Sequence, residues 1–443
     1  MTIFLLHQHL VTSTSSLLTL ALTSKNFNVS QTRRVWISLE RCYRVYRPTG
    51  ASESWIPICC TSQPWHTMAE PTTASVYESV PLPLGKNVSI RVITIRPSIT
   101  GSDPISCDFH LLDLDTRYPE QYIALSYTWG EPPSTEMINL NGEPFPVRKN
   151  LWDFLSQARS NCLEEYLWID ALCIDQSVNA ERSHQVSIMG RIYSSASRVI
   201  VWLGLYSGLA AEGLMFIDVA YLSNYLTSGA LWDYEDQLEK LFNIPYWTRT
   251  WIVQEYVLAK SIEVWLGYLK RDGKIFSWFV KQLRIESEAW WINSRSFPLK
   301  HPELEPSHNL KQLPGMGIII RRESEHHFSR SESPQGDVSY SAQQLAMIIC
   351  DLGSNMRCAD PRDQVYALLP LLSREASELL SIIPDYSKTT AEVFTSVVNA
   401  LQTHANIEGH TLASSLVRNL EHMLCLSKDE PEVQAARRMW RLG

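Results

Sequence analysis

The chain has 443 residues, of which 45% are hydrophobic and 19% charged, with 15 Trp and a net charge of −8. This is ordinary globular composition, long for one domain, and the negative balance without a basic stripe excludes an electrostatic nucleic-acid footprint. No apolar run reaches the roughly 20 residues of a membrane-spanning helix, and the nine cysteines (Cys42, Cys59, Cys60, Cys107, Cys162, Cys173, Cys350, Cys358 and Cys425) form no CxxC pair and meet no His cluster. That usage argues for reduced thiols in a cytoplasmic protein and against a zinc site.

Residues 1–67 show no clear period and are rich in Ser, Thr and Arg. The opening stretch MTIFLLHQHLVTSTSSLLTLALTS lacks a positive leading region and is interrupted by His7, Gln8 and His9, so it does not read as a signal peptide. The expectation is a disordered tail or an extension of the gene model, with Met68 a candidate start. Over 68–121, SIRVITIRP and ISCDFHLLDL flank the turn-rich SITGSDP and predict a leading β-hairpin.

Strands and helices then alternate. YIALSY predicts a strand, NLWDFLSQARS an amphipathic helix, YLWIDALCI a strand, residues 180–196 a helix and RVIVWLG a strand. A helix over 209–225, another at WTRTWIVQEYVLA and a fourth strand at SIEVWLG complete the region to 267. The apolar run of RVIVWLG is continuous, as in a strand covered on both faces. The alternation predicts a three-layer α/β domain, a parallel sheet flanked by helices in the flavodoxin-like or TIR-like manner. Ligands of such sheets bind beyond the carboxyl ends of the strands. Residues 268–443 read as mainly helical, with a polar loop or insertion at about 296–340 and further helices at SAQQLAMIICDLGSN, DPRDQVYALLPLL and TTAEVFTSVVNALQTH.

Three blocks, YIALSYTWGEP at 122–132, LWIDALCIDQ with ERSHQVSIMGRIYSSASRVIVWLG over 167–204, and YWTRTWIVQE at 246–255, together resemble the fungal heterokaryon incompatibility (HET) domain family. CADPRDQVYALLPL and IIPDYS resemble stretches that often follow that domain. The resemblance implies an intracellular effector in nonself recognition and programmed cell death. It implies as partners a second copy of the chain or other incompatibility proteins. The family has also been proposed as a distant relative of TIR domains, some of which cleave NAD at the nicotinamide–ribose bond. NAD is therefore a candidate substrate, and no cofactor is expected.

Each motif has two readings. In YIALSYTWG, Ser126 offers a hydroxyl, Tyr127 and Trp129 offer aromatic faces, and Gly130 permits close backbone approach; alternatively the rings are packing and Gly130 is turn chemistry. In LWIDALCIDQ, Asp170 and Asp175 sit in or beside an apolar run, where a carboxylate needs a partner. Arg182, Arg191 and Arg249 are the candidate partners of Asp170, and Asp175 with Gln176 suits an Asx-type turn. Neither acid has the companions of a metal-ligand set. Glu181 and Gln185 share a helix face, with Arg182 beside it. Trp251 and Glu255, four apart with Arg249 just before, resemble the Trp-x-x-x-Glu arrangement of NAD-cleaving TIR domains. The resemblance makes Glu255 the candidate catalytic acid and the remaining residues its pocket. The structural alternative is that Glu255 bridges to an arginine and ties its helix to the sheet.

Overall fold

The apolar runs of this chain pair into one nine-stranded sheet. The computed structural model describes residues 74–440 except 84–87, 99–102, 118–119, 206–207, 227, 297–309, 311–312, 329–344, 347, 350–355, 373–379 and 405–409, so the expectation for 1–67 lies outside the described residues. In chain order, α1 (Ala74–Glu78), β1 (Ser89–Ile95), β2 (Ser106–Asp113), β3 (Tyr122–Tyr127), β4 (Glu136–Leu140) and β5 (Glu143–Val147) lead into α2 (Lys149–Ser160). Next come β6 (Tyr166–Trp168), α3 (Asp170–Cys173), α4 (Asn179–Ser187), α5 (Met189–Ser195), β7 (Arg198–Trp202), α6 (Gly208–Ser223), α7 (Ser228–Asp233) and α8 (Glu235–Phe242). A 3₁₀ turn (Pro245–Thr248) precedes α9 (Ile252–Val257), β8 (Ile262–Leu266), β9 (Leu269–Asp272), α10 (Lys274–Ser296), α11 (Pro314–Phe328), α12 (Asp363–Tyr366), α13 (Thr390–His404), α14 (His410–Met423) and α15 (Pro431–Met439).

The strand order is β5-β4-β2-β1-β6-β3-β7-β8-β9. The centre is parallel as expected, with β3 between β6 and β7 and β8 beyond β7. All six residues of β3 are buried, as a strand covered on both faces requires. The sheet as a whole is mixed, which corrects the expectation of a parallel one. The leading hairpin extends it, because β1 pairs antiparallel with both β2 and β6. The hairpin β4–β5 and the edge strand β9 also pair antiparallel, with β4 parallel to β2. The β4–β5 hairpin has a clear signal in Asn141-Gly142, whose φ values of 54° and 94° are those a two-residue primed turn demands.

Four further boundaries differ from expectation. The strand predicted over 166–174 stops at Trp168, and the chain turns into α3. The helix predicted over 180–196 breaks at Ile188 into α4 and α5. The helix predicted from Trp247 begins at Ile252, after the 3₁₀ turn. The polar stretch at 296–340 holds α11, because Met316, Ile318 and Ile319 give it a buried face. The helix predicted over 341–355 falls largely outside the described residues. Among the described residues, no helix is long and apolar enough to cross a membrane, and the described cysteines are free thiols.

The helical region is tied to the sheet domain at α9 and α5. Arg322 of α11 donates to the carbonyls of Tyr256 (2.6 Å) and Val257 (3.1 Å), the open end of α9. Gly190 of α5 lies so near Pro370 that an added Cβ would stand 2.3 Å from the proline Cβ. Gly190→Ala must push α5 away from residues 369–371. A loss of about 1–3 kcal/mol in urea-denaturation stability is expected; an unchanged midpoint would refute this close packing.

Candidate functional site

The register of β3 and β6 pairs Ala124 with Trp168, so the residues two places on, Ser126 and Asp170, emerge at the same carboxyl edge. Helix α9 passes there and brings Glu255, which is 1% exposed. Ser126 Oγ donates to Glu255 Oε2 at 2.5 Å. Since the serine proton is committed to that bond, Tyr246 OH is the donor in its 2.7 Å contact with Ser126 Oγ. Arg249 completes the carboxylate's shell from above, donating to Oε2 at 3.2 Å and Oε1 at 3.3 Å. Arg249 follows the 3₁₀ turn with extended backbone, and that turn lets it reach back over the first turn of α9.

Asp170 stands beside this shell without a direct arginine bond. It accepts from Trp129 Nε1 at 2.7 Å and from the amide of Ala171 at 2.7 Å. Burial and the neighbouring Glu255 charge push its pKa up to about 6, against the pull of Arg249 and of the two donors. Burial opposes the charge on Arg249, but Glu255 and Asp170 outweigh it and hold the guanidinium above its ordinary range. Burial and both carboxylates raise the phenol of Tyr193, burial and Glu255 that of Tyr246, and burial with Asp170 that of Tyr127. Three of these groups reach solvent: Trp129 and Asp170 are half-buried, and the Arg249 side chain is 16% exposed. Ser126, Tyr246 and Glu255 form the floor.

The loop after β3 is held open by the chain around it. Asn150 donates to the carbonyl of Thr128 (2.5 Å) and accepts from Trp202 Nε1 (2.9 Å). Arg148 donates to the carbonyl of Gly130 (2.7 Å), which has φ +83°, and its guanidinium lies 5.5 Å from the Trp129 ring.

Thus Ser126, Tyr127, Trp129, Gly130, Asp170, Arg249 and Glu255 gather at one edge. Five predicted site residues do not contribute a side chain there. Asp175 accepts from the amide (3.0 Å) and hydroxyl (2.6 Å) of Ser177, the Asx turn anticipated as its structural reading. Gln176 touches the site only through the carbonyl of Asp170 (3.1 Å). Glu181 turns to Arg91, with bonds of 2.6 and 3.1 Å, and also accepts from the amide of Asp175 (2.7 Å). Arg182 lies 4.0 Å from the centroid of the Tyr386 ring, and Trp251 donates to Asp363 (3.1 Å). Trp251 and Glu255 are one helical turn apart, the Glu255 amide donating to the Trp251 carbonyl (3.2 Å), but the Trp251 indole is taken by Asp363 while the Glu255 carboxylate is taken by Ser126 and Arg249. Of the arginines proposed for Asp170, Arg191 instead pairs with Asp115 (2.6 Å).

Sequence reasoning missed Tyr246, Asn150 and Arg91. Arg91 had a signal: an arginine in the middle of the apolar SIRVITI demands a buried acid. It is 1% exposed and also donates to the carbonyls of Val80 (2.7 Å) and Cys173 (3.2 Å). Gln185, one turn after Glu181, donates to the carbonyl of Ser89 (3.3 Å), so the shared α4 face packs on β1.

The family model described as "Heterokaryon incompatibility protein (HET)" matches residues 122–255, from the first residue of β3 to Glu255 itself. Among curated proteins, "Heterokaryon incompatibility protein 6, OR allele" of Neurospora crassa is 26% identical, over 73% of this chain and 53% of its own length. The chain thus spans about half of that relative. No solved structure matches. Residues 122–255 are thus similar to a HET domain, and the charged cluster lies inside the matched segment.

Two predictions follow from the charges. Arg91→Ala strands the Glu181 carboxylate in the core and is expected to remove about 3–5 kcal/mol of unfolding free energy. The double change Arg91→Met with Glu181→Leu is expected to recover most of it, and equal losses in both would argue against a buried ion pair. For Asp170, the folded state holds its proton up to about pH 6 against an ordinary 3.8. Stability from this group is therefore greatest below about pH 4 and falls as pH rises toward 6. Asp170→Asn removes that slope. Its melting temperature relative to wild type is expected to rise between pH 4.5 and 7.5, by about 1 kcal/mol equivalent after solvent screening; a difference that stays flat would contradict the raised pKa.

Proposed function

We propose that this chain is a HET-domain protein that acts in the fungal cytoplasm in nonself recognition and triggers cell death by hydrolysing NAD at the nicotinamide–ribose bond. The match of 122–255 and the name of the Neurospora relative support the biological part. The observation that supports the chemistry is the pairing of a buried, fully hydrogen-bonded Glu255 with a half-buried Asp170 at the carboxyl edge of the parallel strands.

In this reading the bond between the anomeric carbon and the pyridinium nitrogen breaks, and its electron pair leaves with neutral nicotinamide. Positive charge builds on the anomeric carbon and ring oxygen, where the fixed Glu255 carboxylate stabilises it. A water oxygen then bonds to the anomeric carbon. Asp170, ionised at neutral pH with a pKa near 6, accepts the water's proton and passes it to solvent. Trp129, oriented by its bond to Asp170, stacks on the base. Arg249, the more exposed partner of Glu255, turns to the diphosphate and uncovers the carboxylate.

A second reading, a non-enzymatic domain that self-associates, has one observation in its favour. Helix α6 is apolar on most faces and exposes Leu209, Tyr221 and Leu222, with Tyr225 just beyond it 64% exposed.

The discriminating experiment measures nicotinamide release by the full chain and cell death on expression. Glu255→Ala and Glu255→Gln are expected to lower release by at least about 10²-fold and to abolish killing with it. Killing by wild type and variants alike, with no nicotinamide released, would remove the enzymatic reading. If Leu222→Glu then blocked both killing and concentration-dependent self-association, the second reading would stand.

A further inference from the structure

The segment that carries Arg249 is held from outside the domain. The amide of Arg357 donates to the carbonyl of Thr248 (2.6 Å), and the amide of Thr250 donates to the carbonyl of Arg357 (3.0 Å). Arg249 therefore sits in a parallel bridge with Arg357, its main chain secured on both sides. Immediately afterwards, the Trp251 indole donates to Asp363 Oδ2 (3.1 Å), and the Tyr386 hydroxyl donates to Oδ1 of the same carboxylate (2.6 Å).

Tyr386 is itself fixed. The guanidinium of Arg182, from α4, lies 4.0 Å from its ring centroid, and that of Arg362 lies at 5.3 Å. Arg362 donates to the carbonyls of Tyr386 (2.8 Å) and Lys388 (2.6 Å) and pairs with Asp360. Tyr366 OH donates to the carbonyl of Asp385 (3.0 Å). Two stretches after the matched domain, 356–372 and 385–388, thus close on Arg182 and Trp251, the predicted site residues that face away from Glu255.

We propose that Asp363 is a positioning residue for the Glu255 site: through Trp251, and with the Arg249–Arg357 bridge, it sets where the Arg249 guanidinium stands against Glu255 and Asp170. The functional unit then runs past the matched domain to at least Lys388. The amide of Arg249 is held by one bond to the Tyr246 carbonyl (3.2 Å) and that of Thr250 by the Arg357 carbonyl (3.0 Å), so loss of the Trp251 acceptor leaves the start of α9 to these contacts and loosens the turn that carries Arg249. The bridge itself depends on residues 356–363 being docked. Arg249 opposes both carboxylates, so a shift of its guanidinium changes the field at both. The proposal rests on the reading above only for its catalytic consequence; the geometry is tested without NAD.

The test uses the full chain with ¹⁵N-labelled Trp. The Trp129 indole N–H, assigned by its loss in Trp129→Phe, donates to Asp170 and reports that carboxyl's ionisation as a pH-dependent shift. In wild type the midpoint is expected near 6. Arg249→Ala, which removes the opposing cation, is expected to raise it by about one unit. Asp363→Ala is expected to raise it in the same direction by about half a unit, because the guanidinium retreats without being lost. Should Asp363→Ala fail to fold, Trp251→Phe and Tyr386→Phe, each deleting one donor to the carboxylate, carry the same expectation. A midpoint unmoved in these variants while Arg249→Ala shifts it overturns the proposal, as does an unmoved Arg249→Ala. Absence of nicotinamide release by wild type would sink the NAD reading and leave this result intact.

Discussion

The arrangement depends on one guanidinium facing two carboxylates, one buried and one at the solvent edge. Arg249 binds both oxygens of Glu255 and lowers the electrostatic penalty on Asp170, yet Asp170 still titrates near 6. Buried ion pairs contribute little net stability, since desolvation offsets their attraction, but leaving one partner alone is severe. The position of Arg249 is therefore the most consequential coordinate in the site. Much of the surrounding polar structure can be understood as fixing it or completing the shell it leaves open.

That fixing is distributed over elements far apart in the chain. Ser126 and Tyr246 supply the remaining hydrogen bonds to Glu255, directly and through the serine. The second buried pair, Arg91–Glu181, works one layer back. Glu181 accepts from the amide of Asp175, and Arg91 donates to the carbonyl of Cys173, so the turn after α3 is anchored to β1. This anchoring holds α3, whose first residue is Asp170. On the other side Arg322 secures the end of α9, and Arg357 and Asp363 secure its beginning. The matched segment of 122–255 accordingly contains the charged groups, while three of their supports come from β1, α11 and α12.

The class of fold was legible because buried parallel strands impose continuous apolar runs, and RVIVW and IEVWL are such runs. The gathering of Ser126, Trp129 and Asp170 was legible for a related reason, since consecutive parallel strands deliver their carboxyl ends to one edge. The antiparallel additions were not read. Asn141-Gly142 carried a turn signal beside short strands containing Pro144 and Pro146, which weaken a strand pattern. Helix α11 was hidden inside a stretch dominated by charge, where three buried apolar residues outweigh the local composition.

From the sequence alone came the family resemblance, the parallel centre and the identity of the acids at its rim, because local patterning and strand polarity are properties of contiguous residues. Tertiary structure decided which acid meets which base. Glu255 is paired with Arg249 rather than left open, Glu181 with Arg91 across 90 residues, and Trp251 with Asp363 across 112. Such pairings depend on where helices break and turns begin. Trp251 and Glu255 keep the spacing of one helical turn, yet their side chains find partners on different elements, and periodicity does not specify those partners.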